Sequence, residues 1–377
     1  MLFCKVRFLS RLLMLFLAIS ACLCLSSCGD EPPLKIGFVG GLTGRVADLG
    51  VAGRDAVILA VEEKNQSGGI AGRQIELIVR DDQQNAEQAD QAVRELIKEN
   101  VLAIIGPMTS SMGMVLKPVV DAEQVVMISP TVKTDQLSGL DDNVLRVTTP
   151  LSRNAKQVAE YAITKLGLKK FAVVYDLSNR AFTETWLNHF QAALQGLGGD
   201  VLIAEEFISQ SDVHFLPIAE KVLEMSPEAV LLLSNAIDTA MLSQQFRKLG
   251  SDVPFFSSEW AFTTDLISFG GRSVNGMTSF HSFNIDSQSA RYQTFVETFS
   301  RRFGYVPSFA TVLAYDAATF LFRGLEITTK RNELKQALLG VGSFEGLQSP
   351  VTVDKYGDVE RRLFLTVVDN GQFKVLD

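Results

Sequence analysis

The chain has 377 residues, 35 of them basic and 43 acidic, for a net charge of −8, and 47% are hydrophobic. An acidic excess suits neither the phosphate backbone of nucleic acid nor an anionic membrane surface, both of which select basic faces. The length and apolar content are enough for an ordinary hydrophobic core, most naturally divided over two domains.

The first predicted element is a leader. Lys5, Arg7 and Arg11 precede the apolar stretch LLMLFLAISACLCL, which is too short for a comfortable membrane span, and this is a signal-peptide layout. It ends in LSSC, residues 25 to 28, which resembles a bacterial lipobox with Cys28 as the lipidated first residue. Residues 1–27 are thus read as signal peptide and 28–33 as a tether. The four cysteines stand at 4, 22, 24 and 28, so the processed chain keeps one and forms no internal disulfide. The leader carries three positive charges and no negative one, and its removal takes the net charge from −8 to −11.

From residue 34 apolar runs alternate with helical patterns. LKIGFVG is a strand, and after the loop GLTGRVADLG the segment VAGRDAVILAVEEKNQ has helical spacing. GRQIELIVRDD reads as a strand, the helix opened by Asn85 follows, and VLAIIGP is again a strand. A helix interrupted by Pro118 and the strand VVMISP complete the unit. Beyond LRVTTPLSRN the alternation restarts and runs through KKFAVVYD, DVLIAEEF, EAVLLLS and VPFFSSE, with helices between them. Buried-looking strands separated by helices predict two doubly wound parallel sheets. The C-terminal third changes rhythm, with three helical segments in succession and then a hairpin region with turns at KYGD and DNGQ. Those helices are expected to complete the first lobe, and the last strands the second.

Enzyme chemistry finds little support. His189, His214 and His281 are the only histidines, and none lies in a metal-ligand pair such as HxxxH. There is no GxSxG elbow and no SxxK dyad. The glycine loop GFVGGLTG has Val39 where a dinucleotide fingerprint needs its first glycine, and no GxxxxGK[ST] is present. What the loop does offer is a helix N-terminus at the carboxyl end of a strand, which can hold an anion. No cofactor or metal is implied.

Two hydroxyl-rich stretches remain, GPMTSSMG at 106–113 and MISPTVKT at 127–134, each following an apolar run. Turn and cap chemistry would use such residues, and so would a polar wall around a small anion. The ordered set IGFVGGLTG, GGIAGRQIELIVRDDQ, IIGPMTSS, MISPT, VLRVTT and LAYDA resembles the branched-chain amino-acid binding-protein family, type I periplasmic solute-binding proteins of ABC importers. The likeness runs from about residue 34 to the C-terminus.

The resemblance implies two α/β lobes joined by three crossovers and closing on a ligand in the cleft, with no chemical step. It implies lobe 1 as 34–149 with 284–349, and lobe 2 as 150–283 with 350–377. By motif, Ser110 and Thr131, with Ser111 and Ser129 beside them, would hold the ligand's carboxylate. Glu259, after VPFFSSEW, would hold its ammonium. The side-chain pocket departs from the family. Leu49 stands where an aromatic often covers the ligand, Lys133 replaces a hydroxyl, Arg180 stands near a usual Tyr-Gly, and Asn235 replaces an aromatic. Trp260 is the expected aromatic wall, with Phe182 as an alternative. Two new cations point to an acidic or amide amino acid, or to a small dicarboxylate or amide, unless they face water.

The expected function is therefore an extracytoplasmic, lipid-anchored, monomeric receptor. It would capture an amino acid or related small molecule for an ABC permease on the periplasmic side of the cell envelope. A sensory binding protein for a membrane receptor is the alternative, and an amidase-like enzyme a more distant one.

Overall fold

The computed structural model describes residues 31–209 and 212–376; the leader and residues 28–30 of the tether, Cys28 among them, lie outside the described residues. The first sheet contains β1 (Leu34–Gly40), β2 (Ile75–Asp81), β3 (Ala103–Ile105), β4 (Val126–Ser129) and β5 (Val144–Arg146). These five strands are parallel, in the order β2-β1-β3-β4-β5. Helices α1 (Ala47–Gln66), α2 (Ala86–Lys98) and α3 (Ser110–Ala122) connect them. Local chemistry sets the boundaries. Asn85 accepts hydrogen bonds from the N–H groups of Glu87 and Gln88 and so opens α2. Gly50, in the first turn of α1, lies against Gly41, and an added Cβ would stand 1.9 Å from the Gly41 carbonyl oxygen. Only glycine lets α1 approach the end of β1 so closely.

The second sheet has the order β15-β14-β10-β9-β8-β6-β7. Its parallel part comprises β6 (Lys170–Asp176), β7 (Asp200–Phe207), β8 (Ala229–Leu233), β9 (Phe255–Ser257) and β10 (Thr278–His281). β14 (Phe364–Asp369) and β15 (Gln372–Leu376) add an antiparallel edge. Around this sheet lie α4 (Leu151–Leu166), α5 (Arg180–Gly196), α6 (Phe215–Glu224), α7 (Ala236–Lys248) and α8 (Thr264–Gly270). Every residue of β8 is buried, as expected for a strand covered on both faces. β10 carried no apolar run in the sequence, because Thr278 and Ser279 occupy half of it.

Helices α9 (Ala290–Phe303), α10 (Phe309–Ile327) and α11 (Arg331–Val341) return to the first lobe, where α10 packs along α1. A small antiparallel sheet then forms from β11 (Ser343–Glu345), β12 (Pro350–Val353) and β13 (Val359–Glu360). Residues 350–360, expected with the second lobe, lie against the first instead. The Gly357 carbonyl accepts from the Arg146 N–H, and the Arg146 guanidinium, fully buried, holds Asp358 at 2.5 Å. A hairpin pattern identifies pairing between its own strands but carries no information about which sheet covers it.

Three chain segments thus pass between the lobes, at 147–150, 282–289 and 361–363. They are tied together at one place. Arg361 donates to the Val147 carbonyl and to Asp316 of α10, and its N–H donates to the Thr149 hydroxyl. Asp316 also accepts from the Leu347 N–H, and Gln348 exchanges two hydrogen bonds with the backbone of Asn284.

Candidate functional site

The carboxyl ends of both parallel sheets face each other, where doubly wound folds place their ligands. Between them lies a small cavity of about 20 Å³. The first lobe lines it with Leu49, Met108, Thr109, Ser110, Thr131, Lys133 and Phe309. The second contributes Asn179, Phe182, Glu259 and Trp260.

Ser110 is the first residue of α3. The helix lacks a side-chain cap, and the Thr109 hydroxyl donates to Gln84 Oε1 at 2.8 Å. Ser110 Oγ accepts from the Lys133 N–H at 3.1 Å, which leaves its own proton available. The Thr131 hydroxyl donates to the Met108 carbonyl at 2.5 Å. These bonds join the two hydroxyl-rich loops into one wall. Ser129 belongs to the same junction but does not line the cavity, since its hydroxyl donates to the Pro107 carbonyl and accepts from the Val132 N–H.

The second lobe supplies an aromatic wall, in which Phe182 meets Trp260 edge to face with ring centres 5.7 Å apart. Trp260 Nε1–H is buried with no hydrogen-bond partner among the described residues. Glu259 opens the short turn Glu259–Ala261 at the end of β9. One of its oxygens accepts from Asn154 Nδ2 at 3.2 Å, and Asn154 also donates to the Phe280 carbonyl. The other oxygen stands 2.5 Å from the Lys133 ammonium. Both side chains are 3% exposed, so this is a buried ion pair joining the lobes.

Besides Ser129, three residues expected in the pocket lie elsewhere. The Arg180 side chain is 60% exposed and pairs with Glu184 one helical turn on, because α5 turns it to water. Asn235 caps α7, accepting from the Asp238 N–H and donating to the Asp238 carboxylate. Ser111 bridges the lobes outside the cavity: its N–H donates to Asn179 and its hydroxyl accepts from the Ala181 N–H. Sequence reasoning missed Met108, Asn179, Phe309 and Asn154. Asn179 and Asn154 look like helix-start residues, and Phe309 enters from a helix some 175 residues beyond the nearest other first-lobe contact.

Further contacts hold the lobes together. Arg45 pairs with Asp238 at 2.6 Å, the Thr263 hydroxyl donates to Asp48, and Asp135 meets His189. Their number identifies the conformation as closed.

His281 stands where the second crossing leaves β10. It is 4% exposed, and neither ring nitrogen has a partner among the described residues. Burial, reinforced by the nearby Lys133 charge, lowers its pKa from 6.5 to about 3. A histidine with a depressed pKa takes up its proton more readily when unfolded. The stability it protects is complete above about pH 6.5 and falls toward pH 3, by at most about 1.4 kcal/mol per pH unit. Its ring lies between Phe262 and Phe283. His281→Phe should therefore flatten the decline in stability between pH 6 and 4, measured by urea unfolding at a series of pH values. An unchanged slope would assign that decline to carboxylates.

Comparison with known proteins agrees with this fold. A family model described as periplasmic binding protein matches residues 33–372. The Leu/Ile/Val-binding protein BraC3 of Rhizobium johnstonii is 23% identical over 330 residues, covering 86% of this chain and 88% of that protein. A leucine-binding protein from Thermotoga maritima superimposes with a TM-score of 0.85 at 24% identity, over 91% of this chain and 98% of its own. An ABC-transporter solute-binding protein from R. palustris, solved with benzoate, gives 0.83 at 21% identity, over 91% and 95%. At such identities the structural likeness speaks for the fold alone.

Proposed function

The chain belongs to the periplasmic binding protein family, of the type I fold shared with Leu/Ile/Val-binding proteins, and from that premise we propose that it captures a small organic carboxylate between its lobes and presents it to an ABC permease. It is a solute-binding protein rather than an enzyme. The observation that carries the ligand class is the cavity wall. The free hydroxyl proton of Ser110 and the uncapped start of α3 lie in a chamber whose other walls are Leu49, Met108, Phe182, Trp260 and Phe309 together with the paired charges of Lys133 and Glu259. Neutral donors and a helix N-terminus bind a carboxylate without burying a formal counter-charge.

Relatives named for Leu, Ile and Val, and a neighbour solved with benzoate, support a carboxylate ligand with an apolar body. Closure would turn about the crossings near 149, 283 and 361. Lipid attachment at Cys28 would hold the protein at the periplasmic face of the cell envelope. Among the described residues no helix is long and apolar enough to cross a membrane.

Equilibrium dialysis of the purified protein against a mixture of amino acids and small organic acids, read by mass spectrometry, tests the reading. One carboxylate should be retained at one per chain and released chemically unchanged, with a smaller radius of gyration when bound. Retention of no carboxylate, or its conversion, would refute it.

A further inference from the structure

Granting that the interlobe cavity is the ligand site, we propose that the ligand is a monocarboxylate with an apolar body and no α-amino group, because the chain itself occupies the ammonium position with Lys133. Among the described residues Glu259 is the only carboxylate lining the cavity and Lys133 the only cation. They meet at 2.5 Å, one from each lobe, each 3% exposed. The remaining Glu259 oxygen is engaged by Asn154, itself fixed to the Phe280 carbonyl. Glu259 therefore has no unmatched charge to offer an incoming ammonium.

A ligand ammonium would have to displace Lys133. The displaced cation would find Ser110, which holds its backbone N–H, and His281, whose buried ring carries no negative charge. Neither can neutralise it, and a buried cation without a partner strongly disfavours closure. A carboxylate meets the opposite situation. With the Lys133–Glu259 pair intact the lining is neutral, and an ammonium has three donors, more than the one Glu259 oxygen beside it engages. The ligand's single negative charge then sits with the α3 N-terminus and the Ser110 hydroxyl. Leu49, Met108, Phe182, Trp260 and Phe309 enclose its body. The total charge in the closed cleft is the same as if a bare glutamate had received a zwitterion: Lys133 and a carboxylate together replace the amino acid.

The test uses pairs of ligands that differ only in the amino group, leucine against 4-methylpentanoate and phenylalanine against 3-phenylpropanoate. Each is titrated into the purified protein by calorimetry and thermal shift. The des-amino member of at least one pair should bind about a hundredfold tighter than its amino acid, the size expected when binding requires breaking a buried ion pair. Lys133→Thr frees Glu259 and should shift the preference toward the amino acid by a similar factor. The wild-type pairs decide the matter even if that variant fails to fold. Tighter binding of the amino acids by wild type would overturn the inference and leave carboxylate capture standing. An unchanged preference in folded Lys133→Thr would overturn the role of Lys133. Binding of neither member of either pair, with a neutral solute retained instead, would overturn carboxylate capture and this inference together.

Discussion

Lys133→Met should lower the affinity for the native ligand by about 10²–10³-fold, while the melting temperature of the ligand-free protein changes by only a few degrees. The reason is where the pair forms. Lys133 and Glu259 come from different lobes and are both 3% exposed when they meet, so their burial belongs to closure. Removing one partner leaves a buried, uncompensated carboxylate, worth about 3–5 kcal/mol against the closed state, which is two to three decades in a dissociation constant. In an open protein Glu259 reaches water, and folding of each lobe is little affected. The double variant Lys133→Met/Glu259→Gln removes both charges and should return most of the affinity. Calorimetric titration of wild type, both single variants and the double variant closes the cycle. A coupling under about 1 kcal/mol would mean that the pair does not contribute to closure.

Asp316→Ala should act on stability instead, lowering it by about 3–5 kcal/mol and the thermal midpoint by roughly 10 °C. Asp316 is fully buried in α10, accepting from the Leu347 N–H at 2.8 Å and from Arg361 at 2.7 Å. Without it the Arg361 guanidinium, whose side chain is 4% exposed, keeps only its bond to the Val147 carbonyl. The same residues join the crossings at 147–150 and 361–363, so the variant should also loosen the hinge base. Chemical unfolding followed by circular dichroism reads the first effect. Hydrogen exchange at Val147, Thr149 and Arg361 reads the second. A loss below 1 kcal/mol would show that water replaces the carboxylate at this site.

Much of this molecule was legible before any coordinates. Strand runs such as VLAIIGP and EAVLLLS announce buried parallel strands because a strand covered on both faces has no polar side to show. Asn85 marks a helix start because its side chain satisfies N–H groups that the helix cannot. The GP and SP loops were readable as a pair because their hydroxyls follow strand ends, where a doubly wound sheet gathers its ligand contacts. These are local properties, decided within a few residues. β10 escaped because two of its four residues are polar and its identity as a strand comes from its neighbours β9 and β14.

The direction and partner of each charged side chain belonged to tertiary structure. Lys133 and Arg180 looked alike in sequence, two basic residues in loops at strand ends. α5 turns Arg180 outward to Glu184, while the loop after β4 carries Lys133 inward to a glutamate 126 residues away on the other lobe. Pairing of that kind depends on the relative placement of two domains and on the removal of water between them. Both follow from long-range packing, and neither leaves a periodicity or a spacing in the chain. Sequence therefore determined two α/β lobes and, through the family resemblance, a cleft between them with a hydroxyl-rich wall. Only the closed tertiary structure decided that the glutamate in that cleft already has its cation.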